Sequence, residues 1–317
     1  MNLILSLLFS FIPVLIYLII LWWLDRYERE PIKNIMFHFL WGMFGAVTLT
    51  LIFSSIIESY ASSKIKDEFT LSYLSTVLVA PLIEELFKGL ILILTFSKIK
   101  FDNLTDGIVY GGSVGLGFGL TENFLYFYFY TDNIKDLILL ALFRNAFSVT
   151  IHFVASAVLG SILAMAKFKN SFKKTFIFLY GFILAVLIHG LFNLSVISGD
   201  GFFLSIAFVV ISFIMVMILL FISLSYEQNI LINELTDEVI QGHLKHHYAQ
   251  IIPYTNLRNM KGWINEKHRK NLISYATTLA FRKNQMRKIK SEKIKNIYQN
   301  EIEFLRTKIN NITNENE

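Results

Sequence analysis

The sequence contains no cysteine and little charge, and both absences narrow the class of protein. Without cysteine, the chain has no disulfide framework and no thiol nucleophile. Only 17% of its 317 residues are charged, whereas 54% are hydrophobic and 15% are aromatic. Soluble domains average about 25% charged residues. This composition predicts an all-α polytopic membrane protein.

Seven apolar runs are long enough to cross a bilayer, which takes about 20 residues of helix each. The first run is too long for the core of a signal peptide, and no small-residue cleavage site follows it. We therefore expect a retained spanning helix at the N-terminus. The runs lie near 3–24, 34–57, 73–96, 106–130, 137–166, 175–195 and 201–224.

Charge divides the chain into a seven-helix membrane domain, 1–224, and a basic, mostly helical tail, 225–317. The first part holds 14 basic and 14 acidic residues, and the tail holds 15 and 10, so the net charge of +5 lies in the tail. A basic tail can bind nucleic acid. The excess is more typical of the positive-inside bias and of affinity for anionic lipid, so no nucleic-acid partner is expected.

The basic residues of the loops predict the orientation in the cell membrane. The loops after the first, third and fifth runs hold nine Lys and Arg residues, and the alternate loops hold three. The positive-inside rule then places the N-terminus outside and the tail in the cytoplasm. The nine are Arg26, Arg29, Lys33, Lys98, Lys100, Lys167, Lys169, Lys173 and Lys174, and the three are Lys64, Lys66 and Lys135.

Polar residues at helical spacing interrupt four of the apolar runs. A charged side chain at bilayer depth costs roughly 2.5–3.5 kcal/mol, so these groups must face one another rather than lipid. With the orientation above they share the outer half of the bilayer, as a single functional site requires. They are Glu84-Glu85-x-x-Lys88, then Glu122-Asn123, then Arg144 with His152-x-x-x-Ser156, and finally His189-x-x-x-Asn193.

The two adjacent glutamates differ in their expected pairing. Glu84 and Lys88 are four residues apart in the favoured order for an ion pair on a helix. Lys88 can neutralise only one glutamate, which slightly favours Glu85 as a catalytic base. The sequence does not choose between them.

A glycine ladder runs along the fourth apolar run. Small residues four apart let two membrane helices approach closely. Because Glu122 follows the last of these glycines by three residues, we expect it beside that contact. The ladder consists of Gly107, Gly111, Gly115 and Gly119.

The ordered set of motifs resembles the PrsW family of intramembrane proteases, which is related to the membrane proteases that process prenylated CAAX proteins. The resemblance covers roughly residues 20–195 and leaves the tail outside. The matching pieces are the charged loop 25–31, Glu84-Glu85-Leu-Phe-Lys88, Phe118-Gly-Leu-Thr-Glu122-Asn123, Arg144 with His152-x-x-x-Ser156, and His189-Gly-Leu-Phe-Asn193.

The resemblance implies cleavage of a single-span membrane protein near the extracytoplasmic face. In the family's best-known role, this is the first cut in an anti-sigma factor during envelope stress. The family is usually placed among metallopeptidases, and a competing view of the wider superfamily has Glu and His activating water without a metal.

The corresponding hypothesis for the site assigns three groups of residues. Carboxylate and imidazole suit Zn²⁺ or another divalent metal. The catalytic set is Glu84, Glu85, Glu122, His152, His189 and Asn193, with Asn193 stabilising the oxyanion; the metal set is Glu122, His152 and His189; the supporting set is Lys88, Asn123, Arg144 and Ser156.

Two other functions fit buried polar residues. A proton- or ion-coupled transporter also uses intramembrane Glu, His and Arg. Against it, the sequence shows no inverted repeat and no pair of Gly/Pro-broken helices. A non-catalytic sensor or immunity protein of the same fold is the third reading, and the intact polar set argues against it.

Overall fold

The computed structural model describes residues 3–96, 101, 103–167, 169, 171–198, 201–289 and 291–314. Within these residues every regular element is a helix, and the prediction of an all-α polytopic membrane protein is confirmed. The chain divides into two compact units, Met1–Leu24 with Glu30–Leu220, and Asp25–Arg29 with Phe221–Glu317. Lys98 and Lys100, which enter the count of loop charges, lie outside the described residues.

Each predicted span corresponds to one helical segment of the described chain. Some segments are single α-helices, and others are two α-helices joined by a π-helical turn. The segments are α1 (Leu3–Leu24); α2 (Ile32–Leu40), a π turn (Trp41–Ala46) and α3 (Val47–Lys64); α4 (Glu68–Leu74), a π turn (Ser75–Val79) and α5 (Ala80–Phe96); α6 (Leu104–Phe129); α7 (Ile134–Phe143), a π turn (Arg144–Ser148) and α8 (Val149–Met165); α9 (Ser171–Ile197); and α10 (Phe202–Ile240).

Five of these segments are long and apolar enough to cross a membrane by length and composition. The segments 68–96 and 104–129, which carry Glu84, Glu85, Lys88 and Glu122, are not among the five. The count of seven spans therefore stays a prediction. The five are Leu3–Leu24, Ile32–Lys64, Ile134–Met165, Phe172–Ile197 and Phe203–Ile240.

The π turns interrupt three segments and expose backbone carbonyls to side chains of neighbouring helices. A π turn shifts the hydrogen-bond pattern from i→i+4 to i→i+5, and such turns are frequent at functional sites. The Met43 carbonyl accepts a hydrogen bond from Thr121 Oγ1 at 2.8 Å, and the Thr76 carbonyl accepts one from Asn193 Nδ2 at 2.9 Å. These bonds tie the first two turns to α6 and α9.

Helix α6 packs against the backbone of α8 along the glycine ladder. A Cβ added at any of three ladder glycines would overlap a carbonyl oxygen of α8, so only glycine permits this spacing. At the fourth, Gly119, an added Cβ would lie 3.3 Å from the His152 ring, which is close but not overlapping. The predicted close approach is confirmed. The overlapping pairs are Gly107 with Gly160, Gly111 with Ser156, and Gly115 with His152.

The second unit has its own apolar core and a network of ion pairs. Lys283 on α13 pairs with Glu238 and, at 2.7 Å, with Asp237, both at the end of α10. Arg306 on α14 reaches Glu238 at 2.8 Å. Its helices are α11 (His246–Ile251), α12 (Thr255–Arg258), α13 (Glu266–Lys288) and α14 (Glu292–Asn314), and its core includes Leu231, Leu235, Leu272, Leu279, Phe281 and Leu305.

Candidate active site

Four helical segments of the first unit bring their polar side chains into one region. The partners come from distant parts of the sequence: Glu85 and His189, which contact each other, are 104 residues apart. The region contains all ten residues that the sequence analysis proposed for the site. They are Glu84, Glu85 and Lys88 on α5; Glu122 and Asn123 on α6; Arg144 in the third π turn; His152 and Ser156 on α8; and His189 and Asn193 on α9.

Glu85 is the innermost carboxylate and has no exposed surface. Its Oε1 lies 2.8 Å from Lys88 Nζ and 3.0 Å from His189 Nδ1. Its Oε2 accepts a long hydrogen bond, 3.5 Å, from Ser156 Oγ. Both oxygens are therefore engaged, and Glu85 holds the orientation of His189 as a carboxylate behind a metal-binding histidine commonly does.

Lys88 is also completely buried and contacts three members of the cluster. Its Nζ lies 2.8 Å from Glu85 Oε1, 3.3 Å from Glu84 Oε2 and 2.8 Å from His152 Nδ1. The expected pairing with Glu84 is present, but Glu85 is the closer partner. Helix spacing failed to show this because both glutamates are within reach of one long side chain and the neighbouring helices decide its rotamer.

His152 is held between Lys88 and Glu122. A charged lysine has donors only, so the contact with Lys88 makes Nδ1 of His152 an acceptor. The ring proton then lies on Nε2, which donates to Glu122 Oε2 at 2.6 Å. Glu122 is in turn paired with Arg144, whose Nη2 is 2.8 Å away in an ion contact without hydrogen-bond geometry.

A chain of hydrogen-bonded amide side chains holds Arg144 in place. Arg144 Nε donates to Asn123 Oδ1 at 2.9 Å, and Asn123 Nδ2 donates to Asn145 Oδ1 at 3.1 Å. Asn145 Nδ2 reaches the Phe9 carbonyl of α1 at 3.0 Å. Sequence analysis missed Asn145, although a polar amide directly after Arg144 in an apolar run was a usable signal.

A cavity of about 470 Å³ leads to the cluster. Glu84 lines it and Glu85 does not, so Glu84 is the glutamate of the pair that can meet a substrate. Oε2 of Glu84 is directed toward the histidines, whereas Oε1 contacts no donor of the described residues. The polar residues lining the cavity are Ser54, Glu58, Ser75, Thr76, Glu84, Glu122, Tyr126, Arg144, Ser148, His152, His189 and Asn193.

Asn193 lines this cavity, but its amide group has a structural partner. Nδ2 donates to the Thr76 carbonyl in the second π turn, at 2.9 Å. In this arrangement Asn193 fixes the turn that precedes Glu84 and Glu85. The amide carries a second N–H, so the hypothesis that Asn193 stabilises an oxyanion is compatible with this bond and stays a prediction.

Three side chains fit a divalent metal by the chemistry of their donor atoms. One atom each of Glu84, His152 and His189 lie within 4.8 Å of one another. Two imidazoles and one carboxylate are a common ligand set of catalytic zinc. The sequence-based set differs in one member, since it named Glu122. In the structure Glu122 is committed to Arg144 and to Nε2 of His152, which leaves Glu84 as the carboxylate of the group.

Comparison with known proteins identifies relatives over the first unit. A sequence model of the PrsW family of intramembrane metalloproteases matches residues 30–222. Protease PrsW of Clostridioides difficile (strain 630) is 31% identical over 193 residues, covering 59% of this chain and 76% of that protein. Protease PrsW of Bacillus subtilis (strain 168) is 28% identical over 173 residues, covering 53% and 72%. No solved structure matches.

Proposed function

This chain belongs to the PrsW family of intramembrane metalloproteases and is an intramembrane protease, and we propose that it cuts a single-span membrane protein near the extracytoplasmic face. One observation carries the proposal: the cavity brings Glu84, Glu122, His152 and His189 within reach of a peptide segment. In the described part of the chain, these carboxylates and imidazoles lie together between helices that are mostly apolar.

The free oxygen of Glu84 supports its role as the base. Oε1 accepts a proton from a water molecule that attacks the scissile carbonyl, and later delivers that proton to the leaving amine. Glu85 does not reach the cavity and acts through His189, which it orients at Nδ1. Lys88 and Glu122 hold His152 in one tautomer, with its proton on Nε2, and Arg144 pairs with Glu122.

A divalent cation fits this scheme, with Glu84, His152 and His189 as the residues that would hold it. When bound, it supplies a Lewis acid that polarises the carbonyl and makes water more acidic. Oε2 of Glu84 is the oxygen directed to the histidines, and Oε1 remains available for the proton.

A membrane-anchored regulator is the class of substrate that family membership favours, and an anti-sigma factor is its specific form. A single helix with an adjoining extended segment fits the requirement, because the scissile bond must leave its helical hydrogen bonds to enter the cavity. The excess of basic residues in 225–317 supports contact of the tail with anionic lipid.

Reconstitution separates this function from transport. Purified protein in liposomes with a single-span substrate is expected to release two fragments cut near the extracytoplasmic end of the substrate helix. The same vesicles are expected to show no proton or solute flux above that of empty liposomes. Flux without cleavage would contradict the protease function and favour the transporter function.

The proposed orientation in the plasma membrane can be measured directly, because the chain has no native cysteine. We expect a membrane-impermeant thiol reagent to label Ser62→Cys in intact cells, since Ser62 is exposed near the end of α3. Ser291→Cys, exposed between α13 and α14, is expected to react only after permeabilisation. Labelling of Ser291→Cys in intact cells would reverse the orientation and place the cleavage on the cytoplasmic side.

A further inference from the structure

Lys88 occupies the same donor atoms that a divalent cation requires. Glu84, His152 and His189 form the candidate metal group. The ammonium of Lys88 contacts two of the three, Glu84 Oε2 at 3.3 Å and His152 Nδ1 at 2.8 Å. A side chain that is completely buried and lies against two ligands of a metal group is a competitor for that metal.

The tautomer of His152 makes the competition direct. Its Nε2 is committed to Glu122 at 2.6 Å, so Nδ1 is the nitrogen left to bind a metal. The lone pair of Nδ1 is the one that Lys88 now uses. Lysine and metal cannot share it, since one nitrogen lone pair accepts one partner.

Two further contacts of Lys88 Nζ lie outside the candidate metal group. Glu85 Oε1 is 2.8 Å from Nζ, and the ring face of Phe118 lies 4.0 Å from it. The contact with Glu85 can persist if the ammonium withdraws from His152 and Glu84, whereas the Phe118 ring holds the ammonium in the observed position. Glu85 thus serves as the counter-ion of Lys88 in either position.

We propose that Lys88 is a built-in cation that holds the donor cluster together without metal, and that a divalent cation enters by displacing it from His152 Nδ1 and Glu84 Oε2. The competition lowers the affinity for metal. A divalent cation beside the ammonium of Lys88 would place two like charges next to each other in a buried site, so the ammonium must move first. The proposal concerns metal acquisition and does not depend on the identity of the substrate.

Binding of Co²⁺ to the purified full-length protein in detergent tests the competition without any proteolysis. Lys88→Leu removes the ammonium, and we expect it to bind one Co²⁺ per chain at least about tenfold more tightly than the wild type, measured by calorimetry and by visible d–d absorption. Lys88→Arg keeps the charge and is expected to show no such gain. Adding His189→Ala to Lys88→Leu is expected to abolish the absorption band, which would place the ion at this cluster.

Phe118→Leu provides a second route if Lys88→Leu fails to fold with Glu85 unpaired. It removes the ring that holds the ammonium and that also contacts the His152 ring, and it changes no donor atom. We expect Co²⁺ affinity to rise about threefold. If Lys88→Leu keeps the melting temperature of the wild type, a Co²⁺ affinity no higher than that of the wild type would overturn the proposal. If Lys88→Leu does not fold, the same result in Phe118→Leu would overturn it.

Discussion

Glu84→Gln is expected to abolish cleavage of a co-expressed single-span substrate while the protein remains folded in the membrane. Glutamine keeps the shape of the side chain and an oxygen for Lys88, but it cannot take a proton from water at neutral pH. Loss of a positioned base typically lowers the rate by 10²–10⁴-fold. Immunoblots of substrate fragments, with membrane levels of the protease as the reference, measure the effect.

Two other glutamates on the same helical segment provide the comparison. Glu68 on α4 is exposed and does not line the cavity, so Glu68→Gln is expected to cleave at the wild-type rate. Glu85→Gln weakens the pairing of a completely buried lysine and the orientation of His189. We therefore expect it to lower thermal stability as well as activity. Full activity in Glu84→Gln together with an inactive but stable Glu85→Gln would move the base to Glu85.

Gly111→Ala is expected to cost about 3 kcal/mol of folding free energy and to remove activity with it. The new Cβ overlaps the carbonyl oxygen of Ser156, which is backbone and cannot rotate away. Helix α8 must move outward, and overpacking of this kind typically costs 1–3 kcal/mol. That shift also carries His152 away from Lys88 and Glu122. Thermal unfolding in detergent and the substrate-cleavage blot measure the two effects.

Gly119→Ala is the matched control, since it makes the same change on the same ladder. Its Cβ would lie 3.3 Å from the His152 ring and 3.3 Å from the Cα of Val149, so the neighbours need to shift by only a few tenths of an ångström. We expect a loss below about 1 kcal/mol. Equal destabilisation by the two substitutions would show that backbone contact at Gly111 does not set the spacing of α6 and α8.

The candidate site shows how far sequence reasoning reaches. His152 lies eight residues after Arg144 and four before Ser156, so a continuous helix predicts that they share a face, and the structure has them in one cluster. Spacing along one helix does not predict which side chains of different helices contact each other. Nothing local indicates that Nζ of Lys88 meets His152, 64 residues away, or that Asn123 and Asn145 bond to each other.

The π turns explain part of this gap. One extra residue in a turn rotates everything beyond it by about 100°, because an α-helix has 3.6 residues per turn. The turn Ser75–Val79 precedes Glu84 and Glu85, so the direction of these glutamates relative to the start of their segment cannot be read from spacing alone. Apolar composition does not distinguish a π turn from an α-helical one.

The sequence by itself determined the class of protein and its helical character, and it grouped the ten candidate residues of the site. Charged side chains in apolar runs are too expensive to face lipid, so composition and spacing suffice to group them. Only the tertiary structure decided that Glu84 rather than Glu85 faces the cavity, that Glu84 replaces Glu122 in the metal group, and that Lys88 lies on the free nitrogen of His152. These contacts depend on how each helix is rotated about its axis, by a fraction of a turn. That rotation is set jointly by backbone contact along the glycine ladder and by the three π turns.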